Sequence, residues 1–163
     1  MTAICASKPA PVGPADCLRH PLILGMMLLW GCNDHMFKAW FGNALTGKLS
    51  DVAGLAVVPL IPLCVYGLLC SARKRSPVHN RLVLLTSLLT VGGLFSAVNT
   101  QPMCSEAYQW SMAWVQWPFR ALFQLVAEQP LPAVSPLAHT LDPTDLVALP
   151  ALYIPWWVTK PSG

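Results

Sequence analysis

The chain has 163 residues, of which 55% are hydrophobic and only 10% charged, whereas soluble globular domains average about 25% charged residues. That composition excludes the polar surface of an ordinary water-soluble globule. Ten Lys and Arg stand against seven Asp and Glu, with no basic face interleaved with aromatics, so nucleic acid is not an expected partner.

Residues 1–17 carry Lys8, Pro9, Pro11 and Pro14 without helical or strand periodicity. They read as a flexible tail before a single membrane domain over residues 18–163. Arg19 and His20 then precede an apolar run from Pro21. A cleaved leader would need a small residue where the bulky Trp30 stands, so an uncleaved first helix is expected. That helix reaches a full span only if it continues through Asp34, over residues 21–41. Residues 52–72 carry no charge and match the roughly 20 helical residues that a hydrocarbon core about 30 Å thick requires. Residues 82–100 form a third apolar run. Residues 145–159 form a fourth, short for a full span.

Between the third and fourth runs, residues 107–127 predict an amphipathic helix. Trp110, Trp114 and Trp117 recur along one side, with Gln109, Gln116, Arg120 and Gln124 opposite. Such a helix suits the headgroup region, and Pro118 with Arg120 argues against a fifth span. Residues 129–136, with three prolines, predict an extended connector. The six cysteines show no CxxC and no Cys/His metal spacing. Cys32 and Cys104 fall on one side of the membrane, and the sequence leaves open whether they pair.

The densest basic cluster is Arg73, Lys74, Arg75 and Arg81, which the positive-inside rule places in the cytoplasm. Four spans then put both termini in the cytoplasm, with the chain in the cell inner membrane. The expected fold is all-α: a four-helix transmembrane bundle of two hairpins with an outer interfacial amphipathic helix.

This topology gathers three polar segments at the non-cytoplasmic end. They supply Asn33, Asp34 and Lys38; then Lys48, Ser50 and Asp51; then Asp142, Thr144 and Asp145. Helix-end chemistry accounts for much of this. Ser50 and Thr144 each precede an Asp and an apolar run, the pattern of an N-cap followed by a dipole-complementing carboxylate. Asp34 and Lys38 have the i,i+4 spacing of an ion pair. Two features go further. The short first and last runs place some acids below the water line, where an unpaired charge is costly. The segments ending in Asp51 and Asp145 also align, with Thr46 on Thr140, Ser50 on Thr144 and Lys48 opposite Asp142. Proline interrupts both following helices, a pattern that points to a binding site in repeated halves.

The stretches from Asn33 to Lys38, from Leu45 to Leu55 and from Asp142 to Leu146 resemble a family of small bacterial multi-pass membrane proteins of no assigned function, through the pattern N-D-H-x-x-K, T-G-K-L-S-D-x-x-G-L and D-P-T-D-L. The resemblance implies that the three polar segments belong together, and it implies no activity.

Three roles fit these residues. The first is a non-catalytic binding or structural role for the polar cluster, with Lys48 and Asp51 pairing across helices. The second is a subunit of a small oligomeric transporter or channel. The third is a membrane-embedded metal-dependent hydrolase or transferase, with His35 and His139 as weak candidate ligands. No HExxH or GxSxG is present, so no catalytic residue and no cofactor is expected. The expected partners are the lipid bilayer and a second copy or another membrane protein.

Overall fold

The computed structural model describes residues 16–76 and 80–160. The expected tail lies outside these residues except for Asp16 and Cys17, which open a 3-10 turn, Asp16–Arg19. The described residues contain helices and connecting segments but no strand.

The first unit comprises residues up to Val91 together with those from Ala148 onward. Its first helix, α1 (Pro21–Cys32), starts where His20 accepts the Leu22 amide and Pro21 takes the first helical position, where a missing N–H has no cost. The backbone stays helical through a π-turn at Asn33–Phe37 and a short α2 at Lys38–Trp40. Gly42, at φ +45°, turns the chain in the left-handed region that favours glycine.

Helix α3 (Ala44–Val57) is capped by Asn43, whose side chain accepts the Thr46 amide at 3.1 Å. Helix α4 (Leu60–Ala72) comes after a break at Pro59. Pro59 and Pro62 each lack the N–H that continues an α-ladder. The Ile61 amide closes the tight turn on the Val58 carbonyl instead, at 3.1 Å. Ser87 of α5 (Asn80–Thr100) donates to the Pro59 carbonyl at 2.9 Å. One hydroxyl therefore ties the break in one helix to the next. The end of α4 is a Schellman motif, with Arg75 N–H on the Cys70 carbonyl and Lys74 at φ 52°.

A core of Cys17, Ile23, Val57, Leu60, Leu63 and Leu84 holds this unit together, flanked by Trp30 and Trp156. Burial pushes the Cys17 thiol above its ordinary pKa, with Cys64 adding to the effect, as befits a packing residue.

The second unit is residues Gly92–Val147. Helix α6 (Pro102–Val126) begins at a proline after Gln101, somewhat before the start expected from its Trp spacing. It ends in a second Schellman motif, with Gln129 N–H on the Gln124 carbonyl and Glu128 at φ 54°. The next segment is extended and retraces α6. Trp117 Nε1 donates to the Pro132 carbonyl at 2.8 Å, and the Leu137 amide donates to the Gln109 carbonyl at 3.2 Å. Trp110 and Trp114 stay exposed, but Trp117 turns onto the connector, because a half-buried indole N–H needs an acceptor.

Residues Pro143–Leu152 form a 3-10 helix and pass into a short α7, Tyr153–Val158. Runs this long are uncommon for 3-10 geometry. Pro150 lies inside the 3-10 stretch and Pro155 inside α7, and neither has an N–H to donate to a helical ladder. At 2.0 Å per 3-10 residue and 1.5 Å per α residue, the two pieces together extend about 29 Å.

Two helices, Leu45–Ala72 and Asn80–Thr100, are long and apolar enough to cross a membrane by length and composition. The fold is therefore all-helical with two candidate spans.

Candidate functional site

The polar segment that begins at Asn33 is placed by the π-turn. An i→i+5 turn inserts one residue and rotates the helix beyond it, and such turns are frequent at functional sites. Here the rotation leaves Asn33 completely buried while Asp34 and His35 stay exposed.

Asn33 faces α3. Its Nδ2 donates to the Thr46 carbonyl and to Ser50 Oγ, both at 2.6 Å. Ser50 in turn donates to Asp34 Oδ1 at 2.6 Å. Lys38 Nζ reaches the same oxygen at 2.7 Å, with the two side chains 43% and 38% exposed. The Trp30 indole, one turn before Asp34, stands beside the carboxylate. The chain of donors runs from a buried amide outward to an exposed ion pair. Asn33 Oδ1 is buried without a partner, the one unsatisfied atom in the network.

This arrangement corrects the expected role of Ser50. It is not an N-cap but lies inside α3, because Asn43 captures the helix start two turns earlier. Asn is among the strongest N-cap residues, and the Thr46 hydroxyl reinforces the turn by donating to the Asn43 carbonyl at 2.8 Å. With the helix already formed, the Ser50 hydroxyl is left to bridge α1 and α3.

Lys48 is half-buried on α3, as is Asp51, and both are engaged by other groups. In the second unit, Asp142 Oδ1 accepts the Thr144 amide at 2.8 Å and the Thr144 hydroxyl at 2.7 Å. The cap at this helix start is therefore Asp142, with Pro143 in the first position, and not Thr144 as its spacing suggested. An Asp–Pro start is a strong helix opening, and it places the Asp145 amide on the Asp142 carbonyl at 3.1 Å. The aligned segments thus adopt different backbones, α-helix around Asp51 and 3-10 helix around Asp145.

No protein-family model matches this chain, and neither do the curated proteins or the solved structures. The reading of the site rests on its own geometry.

His35 borders an open groove beside Asp34. His139 lies on the connector, where its ring meets Tyr108 edge-on at 5.4 Å and its carbonyl accepts from Gln109. Among the described residues, no three His, Cys, Asp or Glu side chains come together to hold a metal ion. Cys32, in the first unit, and Cys104, in the second, are free thiols in this structure.

Asn43 and Trp30 belong to the site and were not singled out by sequence. Asn43 had a signal, a strong N-cap residue ahead of an amphipathic run. Trp30 had one too, lying four residues before Asp34.

Proposed function

We propose that the chain is a bacterial multi-pass integral protein of the cell inner membrane with both termini cytoplasmic. In this reading it is a four-helix transmembrane bundle of two hairpins, with α6 in the outer interface. The polar cluster lies at the non-cytoplasmic end, where it has a non-catalytic binding or structural role.

The observation that carries this reading is the direction of the large apolar side chains. Only 22% of the most apolar stretch of α5 is buried, with Leu89 75% and Leu94 62% exposed. The core helix of a water-soluble protein has the opposite pattern, and an exposed apolar face this long needs a non-aqueous neighbour. Polar side chains on α5 fit the same surroundings. Thr86, Ser96 and Thr100 return their hydroxyls to carbonyls of their own helix at 2.7–3.0 Å, which satisfies them without water.

Length supports the short last span. As an α-helix its residues would be too short, but the 3-10 stretch with α7 extends about 29 Å, close to the hydrocarbon thickness of about 30 Å. The connector supports an interfacial α6. An extended backbone needs water or protein partners for its amides and carbonyls and is not tolerated in contact with lipid tails, so the helix it accompanies belongs at the water boundary. Within the bundle, the network from Asn33 to Lys38 fastens α1 to α3 and leaves one ion pair facing outward.

The test is extraction and topology. The chain is expected to stay in carbonate-washed membranes. Alkaline phosphatase fused after Asn43 should be active, and the same enzyme fused after Ser76 should be inactive. Release by carbonate, or the reverse activity pattern, overturns the reading.

A further inference from the structure

Helix α6 keeps its polar and apolar side chains on separate sides. At 3.6 residues per turn, Val115, Phe119, Leu122 and Val126 fall in one stripe, and they are 58–78% exposed. Glu106, Gln109, Gln116, Arg120 and Gln124 fall on the other side. The connector lies against that other side, where it takes the Trp117 indole N–H on the Pro132 carbonyl and the Gln109 side-chain amide on the His139 carbonyl. Ser111 stands off the polar side, and its hydroxyl returns to the Ala107 carbonyl at 2.6 Å, so it needs no water.

Charge narrows what can cover the apolar stripe. The unit Gly92–Val147 holds one base, Arg120, and four acids, Glu106, Glu128, Asp142 and Asp145. One minus four gives a net charge of −3 with histidine neutral. Interfacial helices that adsorb to anionic lipid carry Lys and Arg on the polar face. Here the sign is opposite, so attraction to anionic headgroups cannot supply the binding. Burial of the stripe must supply it. The chain itself fixes the place. The candidate span α5 ends at Thr100 and α6 begins at Pro102, so α6 starts where that span leaves the hydrocarbon.

We propose that the Val115, Phe119, Leu122 and Val126 face of α6 docks into a bilayer surface of net-neutral phospholipid, and that anionic phospholipid weakens this docking. The proposal rests on the membrane reading above and adds the face and the lipid class. Acyl chains meet the four side chains, while an anionic surface repels the acids of the unit over a Debye length, about 10 Å at 0.1 M salt.

The experiment is photo-crosslinking of the full chain in vesicles of phosphatidylcholine, alone or mixed equally with phosphatidylglycerol. Benzoylphenylalanine is placed at Phe119, at Gln116 or at Leu89, which is 75% exposed on α5. Lipid adducts are read by mass spectrometry. In phosphatidylcholine, position 119 should capture acyl chains and position 116 should not. With phosphatidylglycerol at low salt, the yield at 119 should fall roughly threefold or more, since one unit charge at an anionic leaflet already shifts an equilibrium about fivefold. High salt should restore it. Glu106→Gln with Glu128→Gln removes two exposed acids and should shrink the fall. Equal capture at 116 and 119, or a yield at 119 that phosphatidylglycerol leaves unchanged or raises, overturns the proposal. Position 89 should capture lipid equally in both vesicles. No capture there would instead overturn the membrane reading and the docking with it, so the two failures are distinguishable.

Discussion

Replacing Ser50 with alanine isolates the bridge between α1 and α3. The hydroxyl is buried; it accepts from Asn33 Nδ2 and donates to Asp34 Oδ1, each at 2.6 Å. The neutral bond to Asn33 is worth about 1 kcal/mol net. A bond to a charged acceptor is worth about 1.5–3 kcal/mol, but Asp34 is 38% exposed, so the lower end applies. Alanine returns roughly 0.5 kcal/mol of helix propensity inside α3. The balance is a loss of about 2 kcal/mol. Asn33 Nδ2 has two N–H groups: one keeps the Thr46 carbonyl, and the other is left buried without its acceptor, so about 2 kcal/mol is a lower bound. Reversible unfolding in mixed micelles measures the change, with Ser87→Ala as reference for a single buried bond. Loss of under about 0.5 kcal/mol for Ser50→Ala, the ordinary scatter of surface substitutions, would refute the claim that this network joins the two helices.

Other consequences can be checked alongside. Asn43→Ala removes the cap of α3 and should cost about 1 kcal/mol, with faster hydrogen exchange at the Thr46 amide. Glu128→Gly should stabilise by up to about 1 kcal/mol, because Glu128 holds a left-handed backbone at φ 54° that glycine adopts freely; thermal unfolding reads the gain. Trp117→Phe removes the bond to the Pro132 carbonyl and should raise protease cleavage within residues 129–140. Cys17 is buried with its pKa raised, so less thiolate forms at a given pH. In the folded chain its maleimide labelling should begin at a higher pH than in the unfolded chain.

The helical class and its two long apolar helices were legible because charge-free runs have a simple length requirement. Asn33, Asp34 and Ser50 were legible as polar residues bordering such runs, but their roles were not. Ser50 matched a cap pattern, and only the competing start at Asn43 shows that the helix had already begun. The π-turn has no composition signature, since it depends on Lys38 bonding the Asn33 carbonyl rather than that of Asp34. The last segment departed furthest from expectation. It was weighed against a 3.6-residue period, whereas the backbone over Pro143–Leu152 follows a three-residue one.

That winding has a consequence for how the segment tolerates change. In a 3-10 helix, side chains three apart stand in line, so Pro143–Leu152 carries straight columns. Thr144, Val147 and Pro150 form an exposed column; Asp145, Ala148 and Ala151 form an inward one, with both alanines buried; Leu146, Leu149 and Leu152 lie between. The residues themselves repeat as triplets, Val-Ala-Leu and then Pro-Ala-Leu. Deleting one residue turns everything beyond it by about 120° and swaps the columns. Deleting a whole triplet keeps each column in place and only shortens the rod, by about 6 Å. Length variation in this segment should therefore be accepted in steps of three.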